Sequence, residues 1–406
     1  MSELTSRPGF GRRALLGGAA LAAMPVAAAR AQAAAGPVRI GVLTDASGPY
    51  VDSGGPGSQV AAQMAVADFG GTVLGQKIEV LVGDTQNKPD VAGALARGWF
   101  DTDGVDAITD LPLTPVALAV QQIAKEKQRT VMITASAINE FTSKFCSPVS
   151  THWADDVHAM TTGTGKLVVQ NGGKTWFFIT VDFAFGKAVE AAATAVIQAN
   201  GGKVLGDTYF PIGNSDFASQ MVSAQSSGAQ VIGLAAVGND QVNAIKQAAE
   251  FGLARGNGKT LAGFLIYITD IHALGLEMTQ GLTLSSGFYW DQTDASRAFS
   301  KRFFAERHAM PTRNQAAIYT ATLHFLKAMA QAGTRDAVAV GKAMRALPVD
   351  YQGHPASVRA DGRVMYDVTL YRVKSPSESK APWDYYAPIG SLPAAEAFLP
   401  MNAACG

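Results

Sequence analysis

Across 406 residues the 33 basic and 33 acidic side chains cancel, and charged residues make up only 16% of the chain. Nucleic acid and anionic membrane surfaces select a basic excess that this chain lacks, so neither is expected as a partner. The length allows two domains, and a 48% apolar content is enough for full cores.

At the N-terminus, Arg12 and Arg13 precede an Ala-rich apolar run over residues 14–29, and no acidic residue falls between Leu4 and Gly36. The run ends in small residues, with Ala29-Arg30-Ala31 or Ala31-Gln32-Ala33 as an A-x-A cleavage site. These features predict a secretory signal over residues 1–33, of the twin-arginine type. The run is too short and too Ala-rich for a spanning helix, which needs roughly 20 apolar residues. With no cysteine at the cleavage point, a lipid anchor is not expected, and the mature chain is expected to be exported and soluble in the periplasm.

From Val38 onward the hydrophobic period switches repeatedly. Strands are expected over residues 38–44, 77–82, 105–109 and 130–134, separated by helices over 57–69, 89–100 and 115–126. Pro89 suits a first helical turn and Asp90 adds favourable charge there. A second run alternates helices over 154–170, 185–199, 216–225 and 240–251 with strands over 175–180, 203–209, 231–235 and 261–267. Strands separated by helices of this length mean βαβ units and parallel sheets, so the fold class is α/β, with two successive units. Beyond Gly287 the pattern predicts a strand at Phe288-Tyr289-Trp290, helices over 295–307, 315–332 and 335–346, a strand over 364–373 and a polar loop over 375–382. This tail is too strand-poor to stand as a third domain and is expected to complete the first two.

The two cysteines, Cys146 and Cys405, are either a disulfide or two unrelated thiols, and an oxidising compartment favours the bridge. Two cysteines cannot make a metal cluster, and no histidine stands at ligand spacing from either. Catalytic signatures are missing as well. Gly173-Lys174-Thr175 and Gly258-Lys259-Thr260 end like phosphate loops, but Val168 and Leu253 occupy the positions where the leading glycine belongs. The six histidines, His152, His158, His272, His308, His324 and His354, are scattered and read as structural or surface residues.

Loop chemistry at strand ends is more informative, because ligands of open parallel sheets bind beyond the carboxyl ends of the strands. Asp45-Ala46-Ser47-Gly48-Pro49-Tyr50 and Ser53-Gly54-Gly55-Pro56-Gly57-Ser58 follow the first strand. Asp110-Leu111-Pro112-Leu113-Thr114-Pro115 follows the third, and Ala135-Ser136-Ala137-Ile138-Asn139 the fourth. Free N–H groups and hydroxyls opening toward a helix favour anions, at roughly 0.3–1 kcal/mol per helix terminus, so several donors must converge to hold one. Each loop alone is an ordinary capped turn; three at neighbouring strand ends point to a ligand carboxylate. In the second unit the matching positions carry Asp182-Phe183-Ala184-Phe185-Gly186, Val237-Gly238-Asn239-Asp240 and Thr269-Asp270. Acids there would meet an ammonium or hydroxyl group, although Asp182 and Asp240 read more simply as helix N-caps. Tyr50, Phe183, Phe185, Tyr289 and Trp290 are candidates to wall an apolar ligand body, with core packing as the competing role.

At these residues the sequence resembles the periplasmic binding proteins of ABC importers in the leucine/isoleucine/valine-binding family, over most of the chain after Pro37. The resemblance is carried by Ile40-Gly41-Val42-Leu43-Thr44 with Ser47-Gly48-Pro49-Tyr50, by Gly75-Gln76-Lys77-Ile78-Glu79-Val80, by Asp182-Phe183-Ala184-Phe185-Gly186 and by Tyr366. It implies the type I two-lobed fold, each lobe a parallel sheet flanked by helices. Residues 37–153 with 287–347 would form lobe 1, residues 154–286 with 348–398 lobe 2, and 399–406 a tail. It further implies a small-molecule ligand closed in the interlobe cleft, the membrane permease of an ABC importer as partner, a monomer, and no catalytic residue, cofactor or metal. By position, Thr114 falls on the helix-start hydroxyl that faces the ligand carboxylate, and Ala135 and Ala137 on backbone donors to it. Phe185 falls where the family often has Tyr, and Asp270 near the acid that meets an α-ammonium. Tyr50, Ser136 and Asn239, from the loops above, complete the candidate set. Phe185 lacks a hydroxyl and the stretch around Val237 lacks the usual aromatic, which leaves a hydrophobic or branched-chain amino acid and an aromatic or other amphipathic carboxylate as the two ligand classes. A periplasmic sensor reporting to a membrane receptor is the alternative function on the same fold.

Overall fold

β1 (Val38–Thr44) is buried along almost its whole length, as a strand covered by helices on both faces must be. The computed structural model describes residues 36–253, 259–402 and 405, so the signal expected over 1–33 lies outside the described residues. β1 is a central strand of a six-stranded sheet ordered β2-β3-β1-β4-β5-β6. Its other strands are β2 (Thr72–Val73), β3 (Gln76–Asp84), β4 (Val105–Asp110), β5 (Thr130–Ile133) and β6 (Ser150–His152). All pair in parallel except β2, which returns antiparallel on β3. Close helix packing explains Gly41: a Cβ there would fall 2.3 Å from the Trp99 ring.

The second sheet has seven strands in the order β16-β15-β11-β10-β9-β7-β8. β7 (Thr175–Val181), β8 (Lys203–Phe210), β9 (Val231–Ala235), β10 (Thr260–Gly263) and β11 (Thr283–Ser286) are parallel. β15 (Val368–Val373) and β16 (Tyr386–Leu392) add an antiparallel edge. Between them in sequence, β12 (Pro348–Tyr351), β13 (His354–Val358) and β14 (Val364–Met365) form a small antiparallel sheet. Val349, Tyr351, Val358 and Val364 of that sheet share a core with β1 and with the Arg313–Ala332 helix. The 348–398 stretch therefore divides, its first strands packing with the first sheet's core and its last two continuing the second sheet.

Three segments carry the chain between the two sheets, after β6, after β11 and between β14 and β15. One buried carboxylate ties them. Asp155, in the first segment, accepts from the Gly287 N–H (3.1 Å) in the second and from the Tyr366 hydroxyl (2.9 Å) in the third. The Arg313 guanidinium, almost fully buried, stands 3.5 Å from the same carboxylate. Beside it the buried Arg363 donates to Ala154 O (2.7 Å) and meets Asp156 at 3.3 Å. Cys146 and Cys405 are joined as a disulfide, Cα to Cα 5.9 Å, which fastens the tail to the segment following β5.

Several elements differ from their periodicity. Phe288-Tyr289-Trp290 is irregular rather than a strand: the Tyr289 hydroxyl and Trp290 Nε1 both donate to Trp383 O, and the backbone has turned out of the ladder. The stretch expected as one strand over 364–373 breaks at Tyr366-Asp367, where it changes sheets. The helix expected from 154 starts at Val157, capped by Asp156 (2.8 Å to Ala159 N), and carries a π-helical turn at Thr162–Lys166. The strand expected to reach 267 ends at Gly263, and residues 264–267 turn into the cleft wall.

Candidate ligand-binding cleft

Asp45 organises the first wall. Its carboxylate accepts from Gly48 N (2.7 Å), Tyr50 N (2.9 Å) and Asn87 Nδ2 (2.7 Å), a turn that presents Tyr50 to the cleft. Burial pushes the Tyr50 phenol up to about 12, so it acts as a neutral donor. After β4 the backbone takes two successive left-handed residues, Asp110 (φ 81°) and Leu111 (φ 68°), and this sharp turn delivers Thr114 at the first position of the Thr114–Lys127 helix. The Asp110 carboxyl is buried beneath the turn. Burial pushes it up to about 6, against the pull of the Thr44 and Ser58 hydroxyls.

The turn after β5 is held by its carbonyls. His152 Nε2 donates to Ser136 O (2.7 Å), and Val157 N to Ala137 O (2.8 Å). His152 stays neutral because burial, and then the Arg363 charge, hold its imidazole well below its ordinary value. The N–H groups of Ala135, Ser136 and Ala137 donate to no backbone carbonyl among the described residues. The Ser136 Oγ is buried and has no partner. An unpaired buried hydroxyl costs about 1–3 kcal/mol, which a ligand acceptor would recover.

Opposite chemistry comes from the second sheet. Phe183 and Phe185, rings 6.1 Å apart, stand at the end of β7; Val237 follows β9 and Leu265 and Tyr267 follow β10. Asn314, in the first turn of the Arg313–Ala332 helix, completes the lining. The gap between these walls is about 510 Å³ when the part open to solvent is included, and its lining holds no Asp, Glu, Lys, Arg or His among the described residues.

Of the candidate residues, Tyr50, Thr114, Ala135, Ser136, Ala137 and Phe185 line this one cleft. Asn239 lies farther out, in a wider mouth of about 1320 Å³ between Ser47–Tyr50, Gln86–Lys88 and Ile212. Asp270 does not reach the lining. Its Oδ2 accepts from Tyr267 N (2.9 Å) at the start of the Ile268–Leu274 helix, and burial raises the carboxyl to about 7. Neither Asp182 nor Asp240 caps its helix: Asp182 pairs with Lys187 (2.7 Å) and Asp240 accepts from Gly213 N (3.0 Å). Tyr289 and Trp290 face a separate small cavity shared with Arg313. Ser53, from the glycine-rich loop after β1, also lines the cleft, whereas Leu265, Tyr267 and Asn314 were not singled out by the sequence. For Asn314 the signal was the Thr312-x-x-Gln315 capping box, with Gln315 Oε1 accepting from Thr312 N at 2.9 Å.

Two sheet-and-helix lobes joined by three crossovers, with donors and an aromatic wall facing each other between them, define a two-lobed binding protein. Residues 37–380 match the periplasmic binding protein family, and the chain belongs to it. A periplasmic binding protein from Burkholderia mallei is 44% identical, with a TM-score of 0.85 over 91% of this chain and 97% of its own. A branched chain amino acid ABC transporter periplasmic ligand-binding protein from Burkholderia xenovorans is 37% identical, TM-score 0.83, over 89% and 97%. The Leu/Ile/Val-binding protein homolog 6 of Brucella melitensis is 27% identical over 260 residues, which span 63% of this chain and 66% of that protein. Among the described residues no helix is long and apolar enough to cross a membrane, and no group of His, Cys, Asp or Glu is placed to hold a metal ion.

Proposed function

We infer that the protein is the periplasmic substrate-binding component of an ABC importer, that it closes on a small apolar monocarboxylate, and that it presents this ligand to the importer's permease without chemically changing it. The observation that carries the ligand class is the unpartnered Ser136 hydroxyl among free N–H groups in a lining without Asp, Glu, Lys, Arg or His among the described residues. Thr114 and the 135–137 turn supply the carboxylate end; Phe183, Phe185 and Val237 supply the apolar wall. An aromatic or other amphipathic acid suits this lining better than an α-amino acid, whose buried ammonium needs an anionic partner.

A branched-chain amino acid is the second reading, supported by the 37%-identical branched chain amino acid ABC transporter periplasmic ligand-binding protein from Burkholderia xenovorans. It requires an acid at the ammonium, and Asp270 is committed to the Tyr267 N–H. A thermal-shift and calorimetric series of benzoates and phenylpropanoates against leucine, valine and phenylalanine tests the choice, since a ligand that binds only the folded state raises the midpoint. Aromatic acids are expected to bind; binding of amino acids alone would overturn the reading.

A further inference from the structure

Asn314 and Tyr267 reach the cleft from opposite lobes. Asn314 is carried by the helix that packs with β1, and Tyr267 belongs to the core around Trp176 and Phe178. The Asn314 Nδ2 donates to the Tyr267 hydroxyl at 3.1 Å, with both residues buried at 4% and 8% exposure. Neither side chain is free to swing. Thr312 Oγ1 donates to Ser53 O (2.7 Å) and Gln315 Nε2 to Gly54 O (2.9 Å), pinning the helix start to the first-sheet loop. The Arg313 guanidinium sits 4.8 Å from the Tyr267 ring centroid. Burial, the largest influence, raises the Tyr267 phenol, so it keeps its proton.

The bond between them uses one donor of Asn314 and one lone pair of Tyr267. It leaves the Asn314 carbonyl as an acceptor and the Tyr267 O–H as a donor, side by side on the cleft lining. One adjacent acceptor and one adjacent donor are the complement of a hydroxyl group. An ammonium would need acceptors only, and a second carboxylate donors only. We propose that Asn314 and Tyr267 form a hydroxyl-reading subsite, so that the ligand is a hydroxylated aromatic or amphipathic carboxylate and its hydroxyl bridges the two lobes in the closed protein. This rests on the carboxylate reading above and adds the second recognition point. A ligand lacking the hydroxyl would leave this buried pair unsatisfied, which is how polar sites reject deoxy analogues.

The test is calorimetry of matched pairs on the full exported chain: benzoate against 3- and 4-hydroxybenzoate, and 3-phenylpropanoate against its 4-hydroxyphenyl counterpart. In the unsubstituted protein at least one hydroxylated member is expected to bind about tenfold or more tighter than its deoxy partner. Asn314→Leu and Tyr267→Phe should each bring that ratio close to one, whereas Val237→Ala should change both affinities together and keep the ratio. Tyr267→Phe, which preserves the ring, serves if Asn314→Leu does not fold by circular dichroism. Equal binding of hydroxylated and deoxy acids, or a ratio that survives both substitutions, overturns the subsite and leaves the carboxylate reading standing. If no acid of either kind binds, the carboxylate reading itself fails and the subsite falls with it.

Discussion

Asp155 and Arg313 meet 3.5 Å apart inside the protein, with side chains only 2% and 5% exposed. The pair joins the first crossover segment to the helix that supplies Asn314, and Asp155 at the same time holds the other two crossovers through Gly287 and Tyr366. The three crossovers and the helix that lines the cleft are therefore bonded through one buried carboxylate. Removing one partner of a buried ion pair strands the other charge, so Asp155→Ala is expected to cost about 3–5 kcal/mol in urea denaturation. A combined Asp155→Leu, Arg313→Met protein should lose markedly less than the two single changes added together. Additive losses would show that the pair is not coupled.

The buried Asp110 makes stability depend on pH. Its carboxyl is raised by burial to about 6 in the folded chain, against an ordinary value near 3.9 when unfolded. The unfolded chain therefore releases this proton first as pH rises. Between about pH 4 and pH 6 the folded state loses stability relative to it, on the order of 2–3 kcal/mol in all. Asp110→Asn abolishes that loss, so its stability relative to the unsubstituted protein should climb across the same window. Denaturation midpoints of both proteins at a series of pH values provide the check, and parallel curves would exclude the assignment.

Thr114 and Ser136 are expected to act on the ligand carboxylate. Thr114→Ala should weaken an acid ligand by about 1.5–3 kcal/mol, the value of a hydrogen bond to a charged group. Ser136→Ala separates binding from folding. Its hydroxyl has no protein partner, so the ligand-free protein should lose no stability while affinity falls. Calorimetry with thermal denaturation of the same samples reads both quantities.

Breaking the Cys146–Cys405 bridge releases a closure spanning 259 residues. Chain-entropy reasoning for a loop of this length sets a ceiling of about 5–6 kcal/mol, and losing a native bridge typically costs about 2–5 kcal/mol. Cys146→Ser with Cys405→Ser, or mild reduction, should lower the denaturant midpoint accordingly. Because the bridge lies outside the cleft lining, ligand affinity should hold.

Much of the fold was legible because α/β alternation is a local signal. β1, β3, β4, β7, β8 and β9 lie where their β-branched runs placed them, since each is covered on at least one face by a helix whose period is equally local. The misplacements cluster where the chain changes lobes. Phe288-Tyr289-Trp290 has strand-like composition but bonds to Trp383, 93 residues from Trp290, and Tyr366 interrupts its strand to reach Asp155. Among the candidate residues, Thr114 and the 135–137 turn were placed on the cleft lining because a strand end followed by small and hydroxyl residues is itself a signal. Asp270 was not, because whether an acid faces a ligand or its own helix start depends on a backbone turn that composition does not encode.

The amino-acid sequence by itself determined the two parallel-sheet units and the donor-rich loops of the first, because strand period, helix period and turn chemistry are properties of neighbouring residues. Only the tertiary structure decided which residues meet across the cleft and between the crossovers. Asn314 and Tyr267 are 47 positions apart, and Asp155 and Tyr366 are 211 apart. Those meetings depend on strand order and on three crossovers, and local hydrophobic patterning carries no record of either.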